Sequence, residues 1–440
     1  MAEQSSPGRQ RVSFPIGVGP DQRFLTDARG EPFLLVADTA WSLLTTLPGD
    51  QATRYLDARK AQGFNTILTV LAFPSRGRGL SGEDSVFREQ PFINNDITSP
   101  NEAYFKVVDQ IVQEAANRDM LLVIGALWLA DNSHQKGGLP STSDWRTLGA
   151  WLGARYADKP NIVWMVGGDH DPNQTWGTDA GFDYTPFIDA AAEGLSSTDD
   201  RHLIAYHPAL DSASLAQKSW LAFYTYQENR ADSPPWSYVR TRSYHERNPT
   251  KPTLNIEPAY EPNDALTDTT TTPYHVRRNA WWSQLAGALG VTYGGPRETW
   301  AIGETTGTAD EALAEVGREG ARQTGVLHSV LDPLPWTTLA PDWSNEILTS
   351  GRGDYNTRNF AAAAAAPDGS LVIVYTPTAR TLTVDLVMLP KAATCSWIDP
   401  TNGARTDSSP CSPRDRVRQF ATPGQNADGA DDWLLVIRTA

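Results

Sequence analysis

The stretch IVWMVGGD at residues 162–169 is a short apolar run that ends in two glycines and a carboxylate. Near-continuous apolar runs of this length are typical of parallel strands that are covered on both faces. Seven other runs of the same kind lie between residues 33 and 296. They are FLLVADTA (33–40), NTILTVLAF (65–73), LLVIGALWL (121–129), LIAYHP (203–208), LAFYTYQ (221–227), TLNIEPAYE (253–261) and GVTYGGP (290–296).

Longer amphipathic segments separate these runs. One follows Asp50, which is a helix-capping residue type, and ends at Gly63, where a helix commonly stops. Eight strands that alternate with helices predict an α/β fold, specifically a (β/α)8 TIM barrel. The helices after the fifth and sixth strands have the weakest signals. Further helices are predicted at residues 101–118, 144–157, 181–195, 273–289 and 309–329.

The sequence changes character after the proline-rich segment 331–343. Short β-type runs follow, separated by the turn signals PDG at 367–369 and TNG at 401–403. We therefore predict a small antiparallel β-sandwich at residues 345–440. Alanine favours helices, but the turn after the alanine run 361–366 and the alternating strand beyond it favour an edge strand instead.

Composition limits the classes of function. With 40% hydrophobic and 20% charged residues, the 440-residue chain is typical of a globular protein. No run approaches the about 18 apolar residues of a membrane span, and a net charge of −15 disfavours nucleic acid as a partner. Oligomeric state is left open by the sequence.

The compartment is also left open. The segment MAEQSSPGRQ lacks the apolar core of a signal peptide, so we expect either a cytoplasmic protein or a secreted one whose signal has been removed. The two cysteines, Cys395 and Cys411, flank a turn-rich segment. We favour a disulfide between them over two free thiols.

Active sites of TIM barrels lie at the carboxyl ends of the strands. Asp169 ends the fourth run and Glu257 lies in the seventh, and these strands face each other across an eight-stranded barrel. Two carboxylates that flank one bond are what glycoside hydrolysis requires: one protonates the leaving oxygen, and the other attacks the anomeric carbon or activates water. The alternative is that Asp169 caps a loop and Glu257 pairs with an arginine.

Other polar and aromatic residues follow the strands, in a chain that holds 15 Trp and 14 Tyr. The flat face of Trp stacks on sugar rings, although Trp also packs well in a core. We interpret nine of these residues as candidate substrate contacts: Asp38, Trp41, Trp128, His170, His207, Gln227, Tyr260, Tyr293 and Trp300.

Rival chemistries have weaker signals. The chain contains neither a G-x-S-x-G elbow nor a phosphate-binding loop. A metal site built from His134, His170, Asp171 and His207 is conceivable, but no pair of them has helical ligand spacing. Hydrogen bonding to sugar hydroxyls is the preferred role for these histidines, and we expect neither a metal nor another cofactor.

Several segments resemble the apiosidase-like catalytic domains, a group of glycoside hydrolases. They include RFLTDARGEPFLLVADTAWSLLTTL, WLGARYADKPNIVWMVGGDHD, KPTLNIEPAYE and VRRNAWWSQLAGALGVTYGG, and they occur in family order over residues 12–335. The segments YTPTARTLTVDL, WIDPTNGA and DDWLLVI are similar to the collagen-binding-type β-domain that often follows this barrel. We interpret that β-domain first as a structural β-sandwich.

The resemblance implies removal of a terminal furanose, apiose, from plant glycans or glycosides. It implies that Asp169 is the general acid and Glu257 the nucleophile of a retaining mechanism. The chain has Tyr226-Gln227-Glu228-Asn229 where relatives show a Gln-Ser-Gly-His type of stretch, so the accepted sugar is open. The alternatives are an arabinofuranosidase or galactofuranosidase, a non-catalytic carbohydrate-binding barrel, and a β-domain that acts as an adhesion module.

Overall fold

The computed structural model describes residues 11–47, 49–71, 90–129, 139–173, 175, 180–210, 212–228, 236–262, 270–301 and 309–439. The helices in these residues are α1 (Leu43–Thr46), α2 (Gly49–Ala61), α3 (Glu102–Asn117), α4 (Thr142–Tyr156), α5 (Thr185–Thr198), α6 (Trp236–His245), α7 (Pro273–Leu285), α8 (Arg297–Trp300), α9 (Ala309–Glu315) and α10 (Glu319–Leu331). None of these helices is both long and apolar enough to cross a membrane.

The strands fall into three consecutive groups along the chain. A short amino-terminal sheet holds β1 (Gly17–Val18), β2 (Leu25–Thr26) and β3 (Pro32–Phe33). The parallel strands are β4 (Leu35–Thr39), β5 (Thr66–Val70), β6 (Leu121–Gly125), β7 (Ile162–Gly167), β8 (Ile204–His207), β9 (Tyr224–Gln227), β10 (Thr253–Glu257) and β11 (Gly290–Tyr293). The carboxyl-terminal strands are β12 (Ala340–Pro341), β13 (Leu348–Ser350), β14 (Ala362–Ala365), β15 (Leu371–Thr376), β16 (Thr381–Asp385), β17 (Ala393–Ile398), β18 (Arg405–Cys411), β19 (Val417–Ala421) and β20 (Trp433–Thr439).

Each of the eight apolar runs contains one of the parallel strands β4–β11. Six of these strands form a sheet in the order β11-β4-β5-β6-β7-β8, and β9 pairs with β10 in a second parallel sheet. One buried cluster joins both sheets, with Leu35, Met165, Ala205 and Ile256 among its members. The amino-terminal sheet adds apolar residues such as Phe33 to the same cluster. The two parallel sheets therefore share one buried core.

Most predicted helices form where the sequence places them, and their starts have a physical cause. The side chain of Asn101 accepts a hydrogen bond from the Ala103 amide at the start of α3, which satisfies one of the free amides of the first turn. Two differences stand out. The predicted helix 309–329 is divided into α9 and α10, with Gly317, a poor helix former, in the break. In the described residues after β8, a 3-10 turn at Ala213–Leu215 takes the place of a full helix.

The carboxyl-terminal region consists of two antiparallel sheets. One has the strand order β12-β14-β15-β20-β17-β18 and the other the order β13-β16-β19. Leu348, Val384 and Phe420 of the smaller sheet share a buried cluster with Val374 and Leu435 of the larger sheet. The two sheets therefore pack together around one apolar core. The disulfide between Cys395 and Cys411 joins β17 and β18.

The prediction that the alanine run is an edge strand is wrong. β14 pairs with β15 on one side and with the two-residue strand β12 on the other. Ala363 and Ala365 face the core between the two sheets, while Ala362 and Ala364 belong to a cluster with helix residues such as Trp282. Small side chains on both faces let this strand lie between two packed layers.

The larger carboxyl-terminal sheet packs on helices α7 and α10 of the parallel-strand region. A buried ion pair crosses this contact: Nε and Nη2 of Arg277 donate to the two carboxylate oxygens of Asp432 at 2.8 and 2.7 Å. The side chains of Arg277 and Asp432 are 1% and 0% exposed. Arg277 also donates to Gln323 and Asp428. The contact between the two regions is therefore both apolar and charged.

We expect Asp432→Asn to lower the free energy of unfolding by about 3 kcal/mol, because the buried Arg277 guanidinium then keeps only the partly exposed Asp428 as a charged partner. Chemical denaturation of the full chain measures this change. Asp310→Asn is the matched control, because its pair with Arg54 is mostly exposed and is expected to contribute less than about 1 kcal/mol. Similar small changes in both variants would contradict a stabilising role for the buried pair.

Candidate active site

Asp169 lies two residues beyond β7, after a backbone that only glycine tolerates well. Gly167 and Gly168 have φ angles of +105° and +107°, a region that L side chains rarely adopt. A Cβ atom on Gly168 would lie 2.5 Å from the ring of Trp128. Asp169 itself has a φ of +48°, which is uncommon for a residue with a side chain. The two glycines thus let the chain turn tightly against Trp128 and present the Asp169 carboxyl at the strand end.

Glu257 is the last residue of β10, and its side chain is 15% exposed. The pairing of β10 with β9 shifts register between Asn255 and Glu257, which is the mark of a bulge. The hydroxyl of Tyr260 donates to Oε1 of Glu257 at 2.5 Å and accepts from Nε1 of Trp41 at 2.8 Å. These hydrogen bonds hold Oε1 of Glu257 in position, while Oε2 is directed toward Nε2 of His207.

The buried side chain of His207 lies between the two carboxylates. Its Nδ1 is 3.6 Å from Oδ1 of Asp169, and its Nε2 is 3.3 Å from Oε2 of Glu257. The imidazole contacts the rings of Trp41 and Trp128, with centroid distances of 5.0 and 4.8 Å. One polar atom from each of Asp169, His207 and Glu257 lies within 4.8 Å of the other two. The predicted pair of carboxylates is therefore brought together.

The two carboxyl groups differ in their surroundings. Desolvation by the surrounding protein, and then the negative charge of Glu257, raise the pKa of Asp169 to about 6, although 44% of its side chain is exposed. His207 and the hydrogen bond from Nε2 of Gln227 to Oδ1 of Asp169, at 2.7 Å, act in the opposite direction. A carboxyl whose pKa is raised by burial beside a second carboxylate suits the role of proton donor.

The same three side chains, Asp169, His207 and Glu257, offer the atoms that a metal ion would need. Within the described residues they are the only such group, and neither His170 nor Asp171 belongs to it. His134, the remaining member of the metal alternative, lies outside the described residues. Ligation would have to compete with the hydrogen bond from Tyr260 to Glu257 and that from Gln227 to Asp169.

The other predicted contacts take different positions around the carboxylates. Trp41 and Trp128 are 5% and 7% exposed and pack against each other at 5.1 Å. The partly exposed ring of Trp300 lies edge-on to Tyr260 at 5.9 Å. The ring of His170 packs on Tyr184 at a centroid distance of 4.8 Å, and its electrostatic effect partly opposes the rise in the pKa of Asp169. These aromatic residues line the region around the two carboxylates.

Two predicted substrate contacts, Asp38 and Tyr293, are corrected by the structure. Asp38 is fully buried, pairs with Nη2 of Arg59 at 2.9 Å and accepts from the hydroxyl of Tyr55 at 2.6 Å. Tyr293 is also fully buried and donates to Glu261 at 2.8 Å. Successive side chains alternate across a strand, and the neighbours Ala37 and Leu35 face the interior core, so Asp38 faces helix α2 instead. Both residues are structural.

The sequence interpretation gave no role to Glu228, which follows β9 and is 2% exposed. Its carboxylate accepts from the hydroxyl of Ser237 and, at 3.2 Å, from the side-chain Nδ2 of Asn255. Its backbone N–H donates to the carbonyl of Glu257 at 2.8 Å. The sequence signal that could have identified Glu228 is its position as a carboxylate directly after a buried strand. Glu228 therefore ties together the two residues that flank the bulge in β10.

Burial raises the pKa of Glu228 to about 7, against the partial opposition of Ser237 and Arg278. A carboxyl whose pKa is raised in the folded state binds its proton more tightly there, so it makes the protein less stable as pH rises from about 4.5 to about 7. We expect Glu228→Gln to remove this loss, which is about 3 kcal/mol at most. Denaturation midpoints at pH 5 and pH 8 measure it, with the exposed Glu246→Gln as control. A variant that keeps the wild-type pH dependence would contradict the expectation.

Two models of known protein families match the chain. A family model described as the apiosidase-like catalytic domain matches residues 19–338, and one for a collagen-binding-like domain of a collagenase matches residues 344–438. No curated protein matches the chain.

Solved structures show a similar fold at low identity. A glycoside hydrolase family 5 protein from Bacteroides vulgatus is 22% identical with a TM-score of 0.80, over 98% of this chain and 95% of that chain. A second glycoside hydrolase is 24% identical with a TM-score of 0.79, over 97% of both chains. A family 27 β-L-arabinopyranosidase from Geobacillus stearothermophilus is 10% identical with a TM-score of 0.56, over 92% and 96%. The apiosidase-like match spans most of the chain, so the chain belongs to the apiosidase-like family of catalytic domains and is a glycoside hydrolase.

Proposed function

We propose that the eight parallel strands close into a (β/α)8 barrel within a catalytic domain at residues 12–335. Two backbone hydrogen bonds support closure where the six-stranded and two-stranded sheets meet. The backbone N–H of Ala222 donates to the carbonyl of Ile204, and the backbone N–H of Leu289 donates to the carbonyl of Thr253, both at 2.9 Å. The interior core common to both sheets supports it further. Residues 345–440 form the accessory β-sandwich, whose role is to support the barrel through the buried contact with α7 and α10.

The proposed reaction is hydrolysis that removes a terminal furanose, apiose or a close relative, from plant-type glycans or glycosides. Membership of the apiosidase-like family supports the sugar class. The observation that carries the mechanism is that one carboxylate oxygen of Asp169 and one of Glu257 lie within 4.8 Å of each other. Retaining glycosidases hold their two carboxyl groups about 5–5.5 Å apart, while inverting ones leave about 6.5–9.5 Å for a water molecule. The short separation therefore favours retention.

Each carboxyl has one task in this mechanism. Asp169, with its raised pKa, carries the proton and delivers it to the glycosidic oxygen as the bond to the anomeric carbon breaks. Glu257 attacks the anomeric carbon and forms a covalent glycosyl-enzyme. Asp169, now deprotonated, takes a proton from water, which attacks the same carbon and releases the sugar and Glu257.

The neighbouring side chains prepare Glu257 for this attack. The hydrogen bond from Tyr260 holds Oε1, so Oε2, which lies 3.3 Å from Nε2 of His207, is the oxygen that approaches the anomeric carbon. Trp41 orients Tyr260, and Trp128 with Trp41 fixes the plane of His207. The partly exposed Trp300 offers an aromatic face for the sugar. Preorganised contacts of this kind lower the activation free energy, because less of the site has to reorganise during the reaction.

Sugar release from a panel of apiosides, arabinofuranosides and galactofuranosides tests the proposal. We expect the wild-type chain to release one sugar, with retention at the anomeric carbon in the first product seen by NMR. Treatment with a metal chelator is expected to leave the rate unchanged. Inversion would overturn the nucleophilic role of Glu257, and loss of activity with the chelator would favour metal chemistry. Binding of a glycan without turnover would favour a non-catalytic barrel.

A further inference from the structure

We propose that Leu210, Trp236 and Arg240 form a subsite that binds a sugar ring of the leaving group. This inference rests on the proposed glycosidase function and extends it, because it concerns the part of the substrate beyond the bond that is cleaved. The three residues lie after β8 and at the start of α6, two elements that follow the acid-bearing strand β7 in the chain.

Exposure singles out this patch. Leu210 and Trp236 are 45% and 38% exposed, and they are two of only six large hydrophobic residues exposed in the described part of the chain. Arg240 joins them: its Nη1 donates to the carbonyl of Leu210 at 3.3 Å, and its guanidinium carbon lies 5.2 Å from the centroid of the Trp236 ring. The patch therefore combines an apolar aromatic surface with the donors of a guanidinium held against it.

A short series of hydrogen bonds connects this patch with the general acid. The carbonyl of Leu210 accepts from the amide of Gln227 at 3.1 Å, and the side chain of Gln227 donates to Asp169 at 2.7 Å. The amide of Leu210 donates to Asp171, two residues beyond the acid. The patch thus lies on the side of Asp169, the residue that protonates the leaving oxygen, and the leaving group departs toward that side.

The chemistry of the patch selects its occupant. A sugar ring presents an apolar C–H face that packs on the Trp236 ring and hydroxyls that accept from Arg240, and binding sites generally combine apolar surface with a few placed polar groups. A leaving group of one or two carbon atoms is too small to reach both residues. Binding energy gained here from a remote sugar stabilises the transition state and appears in kcat/KM.

The test compares two glycosides of the same released sugar, one with a sugar and one with methanol as the leaving group. We expect Trp236→Ala to lower kcat/KM about 10-fold for the disaccharide and to leave the methyl glycoside within about twofold. Arg240→Gln is expected to act in the same direction. Tyr355→Ala is the matched control, because Tyr355 is a similarly exposed aromatic residue in the carboxyl-terminal region.

Equal losses on both glycosides, or no loss on the disaccharide, would overturn the subsite while leaving the proposed function intact. A wild-type chain that cleaves neither glycoside would overturn the proposed function itself, and the subsite with it. The three results are distinguishable because the wild type is measured on every substrate.

Discussion

Replacing Glu257 by alanine is expected to lower kcat by at least about 10⁴-fold, because the proposed mechanism then loses the group that forms its covalent intermediate. Glu257 lies at a strand end and is partly exposed, so the fold is expected to persist, as circular dichroism and the denaturation midpoint would verify. Glu298→Ala is the matched control, since Glu298 is an exposed carboxylate in α8, after β11. It is expected to retain wild-type kcat.

A small external nucleophile sharpens this experiment. Azide is expected to enter the space left by the Glu257 side chain and to restore part of the rate with an activated aryl glycoside, giving a glycosyl azide of inverted configuration. Rescue of this kind requires that the missing group attacked the anomeric carbon. A Glu257→Ala protein that keeps a near-normal rate, or an inactive one that forms no azide adduct, would contradict the assignment of Glu257 as nucleophile.

The parallel strands were predictable because burial on both faces leaves a simple trace in the sequence. A strand covered on both sides must be apolar at nearly every position, so each of the eight runs could be recognised without knowledge of its partners. The carboxyl ends of such strands meet at one edge of the fold, which is why Asp169 and Glu257 could be placed together. Their shared neighbour His207 followed from the same rule.

The direction of individual side chains was harder to predict. Asp38 is the next-to-last residue of β4, but its side chain alternates with those of the inward residues Leu35 and Ala37 and so faces α2. The same alternation would turn Glu257 outward, because Ile256 faces the interior core. The bulge between Asn255 and Glu257 changes that direction. A bulge depends on the partner strand, so the sequence of β10 by itself does not show it.

The contacts of Glu228 and of the alanine run 361–366 were not predicted, for a related reason. Glu228 directly follows a buried strand, but its contacts with Ser237 and Asn255 come from a helix and a strand that follow it in the chain. The alanine run was recognised as a strand, but its neighbour β12 is a two-residue strand in the proline-rich segment. Contacts between distant segments decide both cases, and a single sequence does not show such contacts.

The pH dependence of the rate is the second large effect. Because desolvation and Glu257 raise the pKa of Asp169 to about 6, the acid keeps its proton to a higher pH than an ordinary Asp would. We expect kcat/KM to fall about tenfold per pH unit above about 6, as the free enzyme loses that proton. Asp169→Asn is expected to lower kcat/KM by about 10²–10⁴-fold on a sugar leaving group and to abolish this alkaline limb.

Two further measurements separate proton donation from a general loss of structure. An aryl glycoside with a strongly acidic phenol needs little protonation, so Asp169→Asn should slow its glycosylation far less than that of a sugar leaving group. Gln227→Leu removes a hydrogen bond that lowers the pKa of Asp169, so the alkaline limb should move to higher pH. The exposed Asp200→Asn is the control and should leave the profile unchanged. An alkaline limb that survives in Asp169→Asn would show that another group supplies the proton.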